Sequence, residues 1–273
     1  MKPIRFRAVA GCVLVVLSVL SCGSSKPNDA SSGPVGKPLT LAQAEVLASV
    51  LTKNFDEGGA VFTVTVPASA QTAYSLNGSI DYTKGTAQST LRVTSEGKDP
   101  ADSELVWTKQ EVLEQIPGLT EAVAAKGRPG VKFVSRPLTT SSAQDVVLNL
   151  LLGTASQQRE NPALIQQGTA QGDTAFLRTD TLRNTPVDVY RFGKKTTYWV
   201  GHDDGILMRF EATLAIAPGV TVIDFLEHKP VSIPGPKASE VVFASDIPDV
   251  MKSLTGNTTP PVAKAPAVVT TKP

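Results

Sequence analysis

Apolar and polar side chains alternate with period two along several parts of this chain, and this pattern constrains the fold most. The clearest case is the segment 206–216, ILMRFEATLAI, in which every second residue from Ile206 is apolar. Segments 62–66, 74–82 and 87–93 repeat the pattern, and the dipeptide Lys84-Gly85 supplies a turn. Such alternation is typical of half-buried strands. It predicts a meander of antiparallel strands.

Shorter apolar runs predict further strands, and turn residues separate them. Asp204-Gly205 stands between two alternating runs, and an Asp-Gly dipeptide in that position favours a β-hairpin. The additional strands are predicted at 105–107, 131–134, 187–192, 197–200 and 220–226.

Helical spacing replaces the alternation in three places. Thr40 and Gln43 have the spacing of a capping box, and the apolar stripe that follows ends at Gly58-Gly59. The segment 141–153, SSAQDVVLNLLLG, has a serine cap, an apolar body and a terminal glycine. The segment NPALIQQ begins with proline at the position that helices tolerate best, and short helices are also expected within 110–125. Together these patterns predict an α+β fold: a curved antiparallel sheet (a half-barrel) with helices covering the concave face.

The N-terminus has the layout of a secretory signal. Lys2 and two arginines precede an apolar run at 8–20, which is shorter than the roughly 20 residues that span a bilayer as a helix. The chain has 2 cysteines, Cys12 inside this run and Cys22 just after it, so a disulfide framework is excluded. Two alternatives are an uncleaved membrane anchor and an ordinary signal peptide followed by an incidental cysteine.

The residues Val19-Leu20-Ser21-Cys22 resemble the lipobox of bacterial lipoproteins. The resemblance implies that a diacylglyceryl group is attached to the thiol of Cys22, that cleavage occurs just before it, and that the protein is anchored at the extracytoplasmic face of the cell membrane. Four parts are therefore predicted. They are a signal peptide at 1–21, the lipidated cysteine with a flexible Gly/Ser/Pro-rich tether at 22–38, a folded domain at 39–252, and a disordered Pro/Thr/Ala-rich tail at 253–273.

Charge and motifs exclude several classes of function. The formal net charge is +1, with 26 basic and 25 acidic residues, so no binding to nucleic acid is expected. His202, Asp203 and Asp204 could in principle serve a metal or acid–base site, but polar residues at a hairpin tip are the simpler interpretation. The sequence lacks a nucleophile elbow, a P-loop and a zinc-protease motif. We predict neither an enzyme nor a metal or cofactor site.

Apolar surface is abundant on the predicted helices and on one face of the strands. A wide trough is hard to fill completely, and small residues (Gly78, Ala87, Ser89, Ala212) lie in its predicted inner rows. A trough closed by helices can enclose an apolar cavity, the usual form of a small-molecule or lipid site. The alternative is a filled core whose sheet serves as a docking surface for an envelope or regulatory protein.

The order of elements and the run VDVYRF…TTYWVGHDDGILMRFEATL…VTVIDFLEHKPVSIPGP, at 187–236, resemble the mycobacterial LppX/LprG class of lipoproteins. Those proteins share a half-barrel with the bacterial LolA and LolB carriers. The resemblance implies a membrane-anchored protein that binds lipid acyl chains in a hydrophobic cavity and takes part in lipid or lipoglycan transport across the envelope. An envelope transporter is a candidate partner, and a monomer is predicted. The candidate lining residues are Phe62, Val64, Leu76, Leu91, Val147, Leu151, Met208 and Phe210.

Overall fold

The structure is a computed structural model that describes residues 36–67, 69, 71–96, 101–215 and 217–255. The described residues belong to one compact unit. The predicted signal peptide, Cys22, most of the predicted tether and residues 256–273 of the predicted tail lie outside them.

Strands and helices account for most of the described chain. The strands are β1 (Gly59–Pro67), β2 (Thr72–Asp81), β3 (Thr86–Ser95), β4 (Ala101–Trp107), β5 (Glu111–Gln115), β6 (Phe133–Pro137), β7 (Thr174–Leu182), β8 (Thr185–Phe192), β9 (Thr196–Gly201), β10 (Leu207–Thr213), β11 (Val220–His228) and β12 (Val241–Phe243). The α-helices are α1 (Leu41–Asp56), α2 (Leu119–Ala124), α3 (Ala143–Leu152), α4 (Pro162–Ala170) and α5 (Pro248–Thr255).

All of these strands form one sheet, in the order β12-β6-β5-β4-β3-β2-β1-β11-β10-β9-β8-β7. Neighbouring strands run antiparallel except β12, which pairs parallel with β6. Among the described strands, β12 and β7 are the two edges of the sheet and do not pair with each other, so the sheet is open. The predicted α+β class with a large, mostly antiparallel sheet is confirmed.

Local signals in the sequence fall where the elements begin and end. The Thr40 side chain accepts a hydrogen bond from the Gln43 N–H, and the Gln43 side chain accepts one from the Thr40 N–H, which is the predicted capping box. Ser142 caps α3, and Asn161 caps α4 just before Pro162. The predicted hairpin at Asp204-Gly205 joins β9 to β10, and Gly205 has φ +69° there. Local chemistry therefore sets these boundaries.

The structure departs from the sequence prediction at five places. The first part of 110–125 is strand β5 rather than helix, because its backbone pairs with β4 on one side and β6 on the other. Strand β10 ends at Thr213, short of the predicted end at 216. Strands β7 and β12 were not predicted. Helix α5 continues to Thr255, three residues into the segment assigned to the tail.

Two apolar clusters stabilise the fold. The larger one lies between the sheet and helices α1 and α3, with a contribution from Ile165 of α4. The smaller one packs α2 and α5 against β6 and β12 at the far end of the sheet, around Leu119, Val134 and Val250. The larger cluster contains most of the predicted lining residues, so it is the place to look for a site.

Candidate functional site

A continuous row of apolar side chains crosses eight strands on the face that packs against α1 and α3, here called the inner face. Directly paired residues of antiparallel strands point to the same side of a sheet. Following these pairs from β7 to β3, the row is Phe176, Tyr190, Tyr198, Phe210, Ile223, Val64, Leu76 and Leu91. Four of the predicted lining residues therefore stand side by side.

The helices bring the other predicted residues to the same place. Val147 and Leu151 of α3 and Phe62 of β1 belong to the same buried cluster as this row. Phe62 also makes an edge-to-face contact with Trp107, with ring centroids 6.3 Å apart. Seven of the eight predicted lining residues are thus brought together by the fold.

Met208 is the exception. The pairing between β9 and β10 shifts between Leu207 and Arg209, which marks a β-bulge. The shift turns Leu207, not Met208, toward the inner face, where Leu207 is fully buried. Met208 is half-buried and is not a member of either described core cluster. The regular alternation from Ile206 could not reveal an irregularity of this kind.

The inner face is closed around several of these residues. Phe62, Val147 and Leu151 have 0% relative accessibility, and Leu91 has 2%. A side chain that borders a space large enough for water keeps some accessible surface. The acyl-sized space that the sequence predicted does not touch these three side chains in this conformation, so a lipid chain could reach them only if a covering helix moved.

Helix α3 is the covering element whose attachments are most clearly defined. In its middle, the indole Nε1 of Trp107 on β4 donates a hydrogen bond to the carbonyl oxygen of Leu148, at 3.0 Å. Trp107 is 1% exposed, so this bond is shielded from water. This buried hydrogen bond from β4 to a carbonyl oxygen of α3 stabilises the helix in its position against the sheet.

A partly buried ion pair holds the N-terminal end of α3. Arg136 of β6 donates from Nη1 and Nη2 to the two carboxylate oxygens of Asp145, at 2.9 and 2.8 Å. The N–H and hydroxyl of Thr139 also donate to Asp145, at 2.9 and 2.8 Å. Glu114 of β5 lies 3.7 Å from the Arg136 guanidinium. We call Arg136, Asp145 and Glu114 the α3 clamp.

The two carboxylates of the clamp have opposite pKa shifts. Burial would raise the pKa of Asp145, but the hydrogen bonds and charge of Arg136 together with those from Thr139 outweigh it, and the pKa is lowered. Burial raises the pKa of Glu114; the charge of Arg136 only partly opposes this, and the nearby negative charge of Asp145 adds to it. Arg136 and Thr139 therefore stabilise the ionised form of Asp145, whereas burial still destabilises the ionised form of Glu114.

We expect Glu114→Gln to raise the free energy of unfolding at pH 7. The folded-state pKa of Glu114 lies above its unfolded value, so stability falls as pH rises from roughly 4.3 through the folded pKa. Glutamine removes that loss, and the advantage of the variant should vanish near pH 4. Urea unfolding at several pH values measures it. Glu104→Gln, at an exposed position of β4, is the matched control. Lower stability of Glu114→Gln at pH 7 would contradict the assignment.

A buried polar network holds the C-terminal end of α3. Asn54 of α1 is 0% exposed and donates from Nδ2 to the carbonyl oxygen of Thr154, at 2.8 Å. Its Oδ1 accepts from the N–H of Leu207 on β10, at 3.2 Å. The Thr154 hydroxyl donates to the carbonyl oxygen of Leu151, at 2.7 Å. Asn54 thus joins α1, the end of α3 and the sheet.

The two histidines make separate contacts. Nδ1 of His202, at the exposed hairpin tip, lies 3.0 Å from a carboxylate oxygen of Asp188. Nε2 of His228 lies 2.9 Å from the carbonyl oxygen of Leu207, and burial lowers the pKa of His228. Among the described residues, no group of three or more His, Cys, Asp or Glu side chains could hold a metal ion.

Sequence patterns missed the polar residues that attach the helices. Asn54 interrupts the apolar stripe of α1, and Asp145 follows the Ser142 cap of α3. A polar residue on an apolar stripe is a signal that such a residue has a buried partner. The partner itself, such as Arg136 for Asp145, is set only by how β6 lies beside α3.

Within the part of the chain that the structure describes, no helix combines the length and apolar character required to cross a bilayer. No protein-family model matches the chain, and no curated protein matches it.

Several solved structures resemble the chain at low similarity. An uncharacterized conserved protein from Thermus thermophilus has a TM-score of 0.37 and 13% identity, covering 74% of this chain and 99% of its own. MucB has a TM-score of 0.37 and 10% identity over 74% of this chain, which spans 64% of the MucB chain. The MucA/MucB complex of Pseudomonas aeruginosa has a TM-score of 0.32 and 9% identity, covering 67% of this chain and 54% of that one. All three are distant similarities in sequence and in structure.

Proposed function

We propose that this chain is a bacterial cell-envelope lipoprotein of the LppX/LprG type, anchored to the membrane through Cys22. In this proposal it holds lipid acyl chains between the inner face and helices α1 and α3, and it takes part in lipid or lipoglycan transport. The observation that carries the proposal is the apolar row across eight strands, which packs against helices α1 and α3; a few polar contacts hold α3 in place.

The affinity for a lipid would come from burial of its acyl chain and not from a covalent bond to the protein. Each methylene transferred from water to an apolar interior contributes about 0.8 kcal/mol. An acyl chain that replaced α3 in the larger apolar cluster would keep the side chains of that cluster out of water. The cost is the loss of the Trp107–Leu148 hydrogen bond and of the clamp contacts. Motion of a covering element on this scale is a common way to admit a ligand.

This role uses no catalytic residues, metal or cofactor, and it assigns the protein as a monomer at the extracytoplasmic face of the membrane. The lipid-modified Cys22 supplies the membrane contact, the bound lipid is the ligand, and an envelope transporter is a candidate partner.

A second candidate function is favoured by the close packing of the inner face. Phe62, Val147 and Leu151 have no accessible surface, as expected for a filled core. In that case the lipoprotein would act as a docking or regulatory module and hold no lipid. The two candidates differ in whether α3 opens.

Uptake of a lipid probe distinguishes these functions. The chain from residue 23 onward, produced without its anchor, is mixed with a fluorescent fatty acid and also analysed by native mass spectrometry for co-purified lipid. We expect bound lipid, and we expect Trp107→Phe to speed uptake by roughly fivefold because it removes one net hydrogen bond to α3 while keeping most of the apolar area.

Trp199→Phe is the matched control for that variant. Trp199 lies between the guanidinium groups of Arg178 and Arg209, 5.1 and 5.4 Å from its ring centre, and pairs with Arg209 on the face away from α3. The Trp199→Phe variant should therefore take up the lipid probe at the same rate as the parent chain. A lipid-free mass together with no uptake by either variant would reject the carrier and favour the docking module.

A further inference from the structure

Exposed large apolar side chains gather at one end of the sheet, here called the rim. The rim is the end where β7, β9 and β11 begin and β8 and β10 end, as the cross-strand pairs require. Among the described residues, six large apolar side chains are exposed. They are Leu41, Leu164, Phe192, Val220, Leu226 and Phe243, and the first four lie at the rim.

Hydrogen bonds place the helical members of this group at the rim. Thr174, the first residue of β7, pairs with Phe192 and donates its hydroxyl proton to the carbonyl oxygen of Ile165, at 2.9 Å. The start of α4, with Leu164, therefore lies beside Phe192. These two side chains are 59% and 37% exposed.

Helix α1 points its N-terminus toward the same end. Its last turn lies at the opposite end of the sheet, where Asn54 accepts from the N–H of Leu207, at 3.2 Å. Leu41, at the first position of α1, is accordingly at the rim and is 58% exposed. Val220 begins β11 and pairs with Thr213, the last residue of β10.

Basic side chains stand beside this apolar group. The turn between β8 and β9 carries exposed Lys194 and Lys195, which follow Phe192 after Gly193. The N–H of Thr213 donates to the carbonyl oxygen of Lys195, at 2.9 Å, which fixes the turn next to β10. The acidic residues Glu160 and Asp173 flank α4, one before it and one after it. An aromatic residue followed by lysines at a loop tip is suited to the boundary between lipid headgroups and acyl chains.

The chain enters the fold at the rim. Lys37 exchanges backbone hydrogen bonds with Phe176 of β7, at 2.7 and 2.9 Å, close to the start of that strand. Cys22 precedes Gly36 by 14 residues, which can span at most ~50 Å even when fully extended. A lipid on Cys22 would therefore hold the rim, where the chain enters the fold, within ~50 Å of the membrane.

We propose that the rim is a membrane-contacting surface that binds bilayers containing anionic lipid and turns this end of the inner face toward the bilayer. The proposal rests on the proposed lipid anchor, but the contact itself is made by Leu41, Leu164, Phe192, Val220 and the lysines of the turn. The bilayer, and no protein partner, is the assigned occupant.

Vesicle binding tests this surface without the anchor. The chain from residue 23 onward is sedimented with vesicles of phosphatidylcholine mixed with phosphatidylglycerol. We expect Leu164→Ser/Phe192→Ser to weaken partitioning by roughly tenfold through lost apolar contact. We expect Lys194→Gln/Lys195→Gln to weaken it by roughly thirtyfold at low salt, and to have no effect on pure phosphatidylcholine vesicles.

The control variant is Leu226→Ser/Phe243→Ser, which removes apolar side chains that are 48% and 59% exposed and lie away from the rim, and it should bind as the parent does. Equal losses in the control and the rim variants, or no binding by the parent chain, would overturn the proposal. So would a dimer in light scattering that the rim substitutions dissociate, since the occupant would then be a second copy. The fatty-acid uptake described above is measured without vesicles, so its outcome is separate from this one.

Discussion

Replacing Trp107 with alanine should lower the free energy of unfolding by about 4 kcal/mol, within the range for large core aromatics. The side chain is 1% exposed and contacts Phe62 edge to face, with ring centroids 6.3 Å apart. Its Nε1 also donates to the carbonyl oxygen of Leu148 on α3, at 3.0 Å. Alanine loses the burial, leaves a cavity in the inner face and leaves that carbonyl without its donor.

Chemical denaturation of the chain from residue 23 onward measures this loss. Trp107→Phe keeps an aromatic ring and loses mainly the hydrogen bond, so we expect it to cost about 1–2 kcal/mol. Trp199→Ala, on the opposite face of the sheet, should cost less than Trp107→Ala because Trp199 is only half-buried. Equal costs for the two alanine variants would mean that Trp107 does not attach α3 to the sheet.

Replacing Asp145 with alanine should lower the free energy of unfolding by about 3 kcal/mol, because it leaves the partly buried Arg136 with an incomplete set of partners. The Asp145 side chain is 2% exposed. It accepts two hydrogen bonds from Arg136 and two from Thr139. All of these attach the first turn of α3 to β6 and the segment after it.

The same substitution should weaken the loss of stability in acid. The pKa of Asp145 is lowered in the folded state, so its contribution is complete above the unfolded value of roughly 4 and is lost as pH falls through the folded value. The slope of unfolding free energy against pH below pH 4 should therefore be shallower in Asp145→Ala. Denaturant titrations between pH 2 and pH 7 would measure this slope, with a precision of ~0.5 kcal/mol in each free energy of unfolding.

Asp102→Ala is the matched control for Asp145→Ala. Asp102 also binds an arginine through two hydrogen bonds, from Arg92 at 2.8 and 2.9 Å, but this pair is exposed. Exposed pairs contribute little. We expect no more than a small change in stability. If Asp145→Ala were equally mild, α3 would be held by apolar packing alone, and the clamp would have no role in opening it.

The apolar part of the candidate site could be predicted from sequence because strand alternation is a local property. Val64, Leu76 and Leu91 were assigned to one face from period two alone, and β1, β2 and β3 then aligned them in register. The prediction that Met208 lines the inner face was wrong, because the orientation of this residue is not a local property. The face toward which Met208 points depends on a β-bulge in the pairing of β10 with β9, and such a bulge involves two strands at once.

The amino-acid sequence by itself determined the helix caps at Thr40 and Ser142, the Asp204-Gly205 hairpin and the α+β class, since each follows from contacts between near neighbours in the chain. Only the tertiary structure decided that Arg136 meets Asp145, that Trp107 reaches Leu148, and that exposed apolar side chains from α1, α4 and two strands share one end. These contacts join residues distant along the chain, and their geometry is set by how strands and helices pack.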